Sequence, residues 1–417
     1  MIKEVKTILK IENEKILFAT GMFRSGGTLL GRMLNTHPKI TLGTDTHLEF
    51  FKAYRNELFQ QNNCSILDPN MPLEHNFKSK NLVVNQIIEK SNFEIDFKFE
   101  QKNMLFDRIK KFSQKFSPIY VSKLNSLKGN NFEDVFSQML QAINDAYGKE
   151  NEEYIGFKSG WSEQFVAPFL NQYNERGRVI FFIRDPRAVI ASNFVKKNHR
   201  YPLEFLIREW RKSVTYAILY TKILQKFKDK CMLIRYEDLI SNPKKSIEKM
   251  MTFLQLDYDN KLLQPSKYVD GNNQPWKQNT NYSDAKTEFN ENSISKWKTV
   301  LEKNIQQFIE YSCYPEMNEL GYKFETVNEN SLMKNFEYPI DKTEEIALWI
   351  EDIYPKETLL SSKWLRQIQQ DENERNMIFL NFKKQYTKQV IQEYFIDERY
   401  FEHITKRLED KNNLEIR

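Results

Sequence analysis

The 417-residue sequence predicts an α/β fold of three layers, a central parallel sheet with helices on both faces. Short apolar runs recur at 15–22, 39–43, 154–160, 178–184 and 231–237. Helical patterns follow these runs. A glycine-rich turn, Gly21-Met-Phe-Arg-Ser-Gly26-Gly27-Thr28, joins the first run to its helix. Strand followed by helix implies parallel pairing, because each crossover must carry the chain back to the same end of the sheet.

The elements follow in order. KILFATGM (15–22) is apolar, short and closed by glycine, so it reads as a buried strand. Leu29, Leu30, Met33 and Leu34 then keep helical spacing, and Pro38 stops the run that ends at Thr36. KITLG (39–43) is a second strand. Residues 46–150 carry no strand signal; FFKAYRNELFQ and NFEDVFSQMLQAINDAYG are amphipathic helix patterns. This stretch is expected to be a helical insertion. YIGFKSG, RVIFFIR and CMLIRYE are three further strands. Residues 261–295, rich in Asn, Ser, Gln and Asp, read as a long loop. From about 330 the pattern is helical, Glu/Lys-rich and aromatic. The expected organisation is an α/β domain over 1–330 and a helical C-terminal extension over 331–417.

Composition narrows the function. A formal net charge of +5 is too small and too evenly spread to argue for nucleic acid. Cys64, Cys231 and Cys313 are far apart and suggest neither a disulfide framework nor a zinc cluster. No run of about 18 apolar residues spans a membrane. The first residues, MIKEVKTILKIENEK, are too charged for a secretory leader. A cytoplasmic protein without a transmembrane segment is the expectation; its oligomeric state is not readable.

The glycine-rich turn has the spacing of a phosphate-binding P-loop, G-x-x-x-x-G-K-[ST], with Gly27 where the lysine belongs. Helix N-termini present unpaired N–H groups with partial positive charge. Ser25 and Thr28 add hydroxyls, and Gly26 and Gly27 let the backbone approach an anion. Arg24, inside the loop, offers a guanidinium in place of the missing ammonium. No apolar strand ends in an aspartate obviously placed to hold Mg²⁺, so a ligand bound without metal is expected. A second anion motif lies in RVIFFIRDPRAVIASNFVKKN (178–198). Asp185 suits a helix N-cap and Pro186 the first turn. Ser192 and Lys196 share a helix face, and Arg184 at the strand end can join them.

These residues resemble the sulfotransferases that use 3′-phosphoadenosine 5′-phosphosulfate (PAPS). GMFRSGGTLLGRMLNTHP resembles their 5′-phosphosulfate loop, with Gly27 in place of a usual threonine. FIRDPRAVIASN resembles their 3′-phosphate motif, which assigns Arg184 and Ser192 to that phosphate. LIRYEDL resembles a segment whose tyrosine, here Tyr236, lies near the nucleotide. SISKWKTVLEKNIQQFIEYSCYPEMNELGY resembles the closing segment, with Lys296 and Trp297 as its basic-Trp pair. PWKQNTNYSD resembles a bacterial loop that closes over the phosphosulfate, with Asn279, Thr280 and Ser283. The four leading motifs span residues 15–323 apart from the insertion; residues 324–417 match nothing in the family. The resemblance implies a P-loop-type fold with PAPS as co-substrate.

Sulfuryl transfer needs a base, cations and in-line positioning. The resemblance puts a carboxylate just after the second strand, where TLGTDTHLEF offers Asp45. His47 and Glu49 are rivals, and Asp45 can instead cap the following helix. YIGFKSGW places Lys158 at a strand end, resembling a segment whose lysine faces the transferring group; Gly160 replaces its proline. Phe50, Phe51, Tyr54 and Phe59 either line an acceptor cleft or fill core. The acceptor group is expected to be a hydroxyl or an amine, with a small-molecule or glycan alcohol favoured. The other readings are a P-loop nucleotide kinase or NTPase, and a non-catalytic nucleotide-binding or scaffold protein on the same fold.

Overall fold

The structure, a computed structural model, describes residues 14–64, 73, 82–195, 201–277, 289–334, 336–339 and 361–415. It divides into two compact units. One is built from described residues up to 183 and between 224 and 290, the other from those between 184 and 223 and between 291 and 415.

The first unit holds a five-stranded sheet of order β2-β3-β1-β4-β5, with β1 Lys15–Thr20, β2 Ile40–Thr44, β3 Tyr154–Lys158, β4 Gly177–Ile183 and β5 Cys231–Arg235. Every pairing is parallel, as the alternation of strand and helix requires. Each of the five apolar runs forms its strand. The register sets Lys158 beside Ala19 of β1 and Thr44 of β2. The three strand ends therefore lie at one edge.

Side-chain alternation divides the core between the sheet's two faces. Leu17 and Ala19 pack with Leu30, Met33 and Leu34 of helix α1 (Gly27–Thr36) and with Ile247, Met250 and Leu254 of the Pro243–Leu254 helix. Phe18, one residue out of phase, faces an aromatic cluster. It stacks on Phe157 at 4.6 Å between ring centroids and on Phe51 at 5.6 Å. Phe51 belongs to helix α2 (Leu48–Gln61) and stacks on Phe165 at 4.7 Å. Burying each such ring contributes about 1.5–3 kcal/mol. Phe50, Phe51, Tyr54 and Phe59 are all buried, so the aromatic stripe of the insertion fills core. Among its described residues the insertion is mostly helical, with further helices at Leu82–Lys90, Lys102–Ser113, Pro118–Lys123 and Phe132–Tyr147. Lys149 closes the carboxyl end of α1 by donating to the carbonyls of Asn35, His37 and Ile40.

The second unit is helical among its described residues. Asp185 accepts from the Arg187 N–H at 2.9 Å and caps the Pro186–Phe194 helix, with Pro186 in its first turn. The C-terminal helices Ser362–Leu380, Lys388–Phe395 and Glu398–Glu415 follow the expected helical pattern. Buried ion pairs attach them. Glu372 receives two guanidinium hydrogen bonds from Arg211, at 2.6 and 2.9 Å, and Arg375 pairs with Glu316. Both arginines also donate to the Ser312 carbonyl, at 3.1 and 3.2 Å. Among the described residues no helix is long and apolar enough to cross a membrane.

Glu319 is expected to make this unit acid-sensitive. Burial pushes its carboxyl up, but hydrogen bonds from His403, Lys222 and Arg407 outweigh that and hold it at about 2. Lys222 Nζ lies 2.6 Å away. A depressed carboxyl stabilises the fold fully above its ordinary 4.5, and the contribution is lost as pH falls toward 2. Glu319→Gln is expected to lower Tm at pH 7 and to flatten its decline between pH 5 and 3, measured by calorimetry. An unchanged slope would remove Glu319 as the cause.

Candidate active site

The loop after β1 sits where the connections diverge: the crossover after β1 leads to β2 on one side of the sheet, and that after β4 leads to β5 on the other. Open α/β sheets bind ligands at this point, beyond the carboxyl ends of the strands. The helix that follows is uncapped. Its N-cap, Gly26, has no side chain to accept from the first turn, and that turn holds no acidic residue. Its unpaired N–H groups and dipole therefore favour an anion. Ser25 is 2% exposed, and its hydroxyl has no hydrogen-bond partner among the described residues. A buried orphan hydroxyl is costly unless something supplies the partner. An oxyanion seated on the loop fits that requirement. Arg24 and Thr28 stand half-buried in the same segment.

Gly26 has φ 91°, in the left-handed region where L side chains are strained. A β-carbon there would also lie 2.5 Å from the Tyr236 ring. The tyrosine singled out from Tyr-Glu-Asp-Leu thus packs on the loop, as its first helical residue after β5. Three non-glycine residues near these strand ends share the left-handed conformation: Arg24 at φ 63°, Asp45 at 55° and Trp161 at 61°. Such conformations cost about 1–3 kcal/mol each and concentrate at functional sites.

Lys158 and Asp45 form an ion pair at this edge. Lys158 Nζ lies 2.8 Å from Asp45 Oδ1 and 3.0 Å from Oδ2. The Asp45 N–H donates to the Lys158 carbonyl at 2.7 Å, continuing the β2–β3 ladder past Thr44. Lys158 is 8% exposed, so it is not a surface lysine. Nor does Asp45 cap a helix: α2 begins at Leu48, and no side chain caps it. The two rivals to Asp45 lie in other settings. His47 is fully buried, stacked on Phe157 at 3.9 Å, and burial pushes its imidazole down to about 3. Glu49 pairs with Lys52 at 3.0 Å and with Arg108 at 3.4 Å.

The missing loop lysine acquires a spatial explanation. A β-carbon at Gly27 would lie 2.9 Å from Cε of Lys158, and 2.3 Å from Cζ of Phe182. The strand lysine's stem approaches the place where a loop side chain would begin. Sequence reasoning identified Lys158 and Gly27 but missed Phe182, because nothing in an apolar run shows which ring faces the loop. It also missed Phe23 and Trp161, whose rings meet edge to face at 5.0 Å. Trp161 is tied to the loop by its N–H, which donates to the Gly21 carbonyl at 3.2 Å. A β-carbon at Gly160 would meet the Gly21 carbonyl oxygen at 3.5 Å, an ordinary contact, so packing does not demand glycine there.

The second unit carries the other predicted group. Arg184 is mostly buried; its Nη2 donates to the Ser293 carbonyl at 2.7 Å, and its own carbonyl accepts from Trp210 Nε1 at 2.7 Å. Lys296 is half-buried and lies three residues beyond Ser293, one helical step along. Trp297 is buried under the Arg187 guanidinium at 3.9 Å, and Arg187 is itself held by Asp185 and Glu310. Ser192 is half-buried on the Pro186–Phe194 helix. Lys196, Asn279, Thr280 and Ser283 lie outside the described residues. Among the described residues no group of His, Cys, Asp and Glu is arranged to hold a metal ion.

Residues 17–260 match the model of the sulfotransferase family. The chain belongs to the sulfotransferase family. That match takes in the phosphate loop, Asp45, Lys158, Arg184, Ser192 and Tyr236. Carbohydrate sulfotransferase 3 of Tetronarce californica is 26% identical over 183 residues, 38% of this chain and 39% of that protein. Carbohydrate sulfotransferase 1 of Rattus norvegicus is 25% identical over 173 residues, 36% of this chain and 40% of that protein. The chain thus spans about two-fifths of the length of the curated relatives it matches. Among solved structures, the sulfotransferase domain of the Synechococcus PCC 7002 olefin synthase covers 74% of this chain and 95% of its own, at 18% identity and a TM-score of 0.45. The sulfotransferase domain from the curacin biosynthetic pathway covers 75% and 99%, at 18% identity and 0.42.

Gly26 is the loop position where both backbone and packing exclude a side chain in this sulfotransferase-family chain. Gly26→Ala is expected to destabilise it by about 1–3 kcal/mol in urea melts. Adding Tyr236→Ala is expected to relieve the ring clash and leave the backbone strain. Wild-type stability in Gly26→Ala would contradict the left-handed loop.

Proposed function

We propose that this protein transfers the sulfuryl group of PAPS to a hydroxyl of a glycan or small-molecule acceptor. The observation that carries the proposal is the Lys158–Asp45 pair beside an uncapped, glycine-rich helix N-terminus. The reading is supported by a cation and a carboxylate lying near a helix end suited to an anion. The carbohydrate sulfotransferase relatives support the glycan class of acceptor.

The loop backbone, with Arg24, Ser25, Gly26, Gly27 and Thr28, holds the 5′-phosphosulfate. Arg184 and Ser192 hold the 3′-phosphate, with Lys196, Thr280 and Lys296 as further donors to the nucleotide and Tyr236 packed beside it. The acceptor O–H gives its proton to Asp45, and its oxygen attacks sulfur. The bond from sulfur to the phosphate oxygen breaks, and adenosine 3′,5′-bisphosphate leaves. Negative charge grows on that bridging oxygen, where Arg24 and Lys158 stabilise it. Fixed donors aimed at developing charge contribute more to the rate than to ground-state binding. No step in this scheme uses a metal ion.

Two measurements test the scheme. The bisphosphate product is expected to raise Tm by a few degrees near saturation, since a ligand at a hundred times its Kd stabilises by about 2.7 kcal/mol. ATP with Mg²⁺, which offers nothing to Arg184 and Ser192, is expected to do little. Arg184→Ala with Ser192→Ala is expected to abolish the shift. Equal shifts from ATP and the bisphosphate would favour a nucleotide kinase or NTPase instead.

The second measurement uses labelled PAPS and a panel of glycans and alcohols. Once an acceptor turns over, Asp45→Asn is expected to lower kcat by about 10²–10⁴ with little change in the KM for PAPS. An active Asp45→Asn beside an inactive Glu49→Gln would move the base to Glu49.

A further inference from the structure

We infer that Phe182 is a positioning residue for Lys158, and that Phe182 and Gly27 together leave the volume at position 27 to a lysine from β3, which joins Arg24 of the loop; the inference rests on the donor site proposed above. A β-carbon at Gly27 would lie 2.3 Å from Cζ and 2.5 Å from Cε2 of the Phe182 ring. It would lie 2.9 Å from Cε of Lys158. Ring and stem therefore converge on the volume that any other residue at position 27 would fill.

The two neighbours are not equally free to move. Phe182 is 3% exposed and packs in the same core cluster as Leu30, Met33 and Leu34. A ring so enclosed cannot swing aside without opening a void. Cε of Lys158 is near the free end of a flexible chain, so a β-carbon at 27 would displace the lysine as well as strain the ring.

Gly31 extends the arrangement by one helical turn. A β-carbon there would lie 3.8 Å from Cβ of Lys158, an ordinary contact. The stem therefore runs along α1, from Cβ beside Gly31 to Cε beside Gly27, toward the helix N-terminus. It follows a shallow channel left by two glycines four residues apart, with the Phe182 ring beside its upper end. There the ammonium meets Asp45. A P-loop lysine would reach the anion from position 27 itself; this chain empties that position and brings the charge in from a strand.

The experiment compares wild type with Gly27→Ala, Gly31→Ala, Phe182→Leu, Lys158→Met and two double variants, Gly27→Ala/Phe182→Leu and Phe182→Leu/Lys158→Met. Each is read by Tm and by Kd for adenosine 3′,5′-bisphosphate. Alanine normally stabilises a helix relative to glycine, so the sign of the change isolates the clash. Gly31→Ala is expected to keep or raise Tm and leave Kd within about twofold. Gly27→Ala is expected to lower Tm. Phe182→Leu deletes Cζ and both Cε atoms, and is expected to reverse the Tm effect of Gly27→Ala.

Phe182→Leu alone is expected to weaken the bisphosphate about fivefold to tenfold, and to add nothing in the Lys158→Met background, because it acts through that lysine. A Gly27→Ala protein as stable as wild type would overturn the shared volume. Losses in Kd that multiply between Phe182→Leu and Lys158→Met would overturn the positioning role and leave the donor site standing. If wild type itself fails to bind the bisphosphate, the donor reading falls and takes the positioning role with it, whatever the melts show.

Discussion

The ion pair between Lys158 and Asp45 is the constraint on which the candidate site depends. It joins the ends of β2 and β3, and its lysine reaches along α1 to the phosphate loop. Two mostly buried charges lose hydration, and only close geometry offsets that loss. Here one ammonium meets both carboxylate oxygens, and the Asp45 N–H extends the sheet ladder to the Lys158 carbonyl. Asp45 accepts a left-handed backbone at this place. Breaking one partner would leave the other charge mostly buried without its counter-ion. The pair therefore holds strand register, loop and site charge together.

The relocation of charge follows from volume as much as from electrostatics. Position 27 is the first residue of α1, directly above the apolar layer that contains Phe182. With glycine there, the loop keeps its backbone N–H groups and loses a side chain. Lys158 then brings a cation to the same helix end from the neighbouring strand. The loop thus differs from the P-loop pattern in which residue bears the charge, while the local chemistry of a helix N-terminus beside a cation is retained.

The second unit depends on buried arginines in a different way. Arg211 and Arg375 each meet a glutamate, Glu372 and Glu316, and both donate to the Ser312 carbonyl. Arg187 is enclosed by Asp185, Glu310 and the Trp297 ring. Glu310 also accepts backbone N–H groups from Glu325, Thr326 and Val327, which fixes the chain after the helices. Such networks demand one geometry, since removing any member strands a buried charge. They hold the C-terminal helices to a scaffold that includes Arg184 and Ser293.

Much of this was legible from sequence because it is local. Apolar runs ended by glycine or charge mark the five strands, and the spacing Gly21 to Thr28 marks the loop, since both follow from backbone conformation over a few residues. Asp185 and Pro186 announce a helix start for the same reason. The aromatic stripe Phe50, Phe51, Tyr54 and Phe59 stayed ambiguous, because helical spacing reports a buried face without saying what covers it. Only tertiary structure decided the rest. Lys158 meets Asp45 across 113 residues because the strand order sets β2 beside β3. His47 sinks into the aromatic cluster while Asp45, two residues away, faces the site edge. Gly27 is empty because β4 sends the Phe182 ring into its volume. Each of these is fixed by which strands pair and which side chains share a space, and neither is encoded in any short stretch of chain.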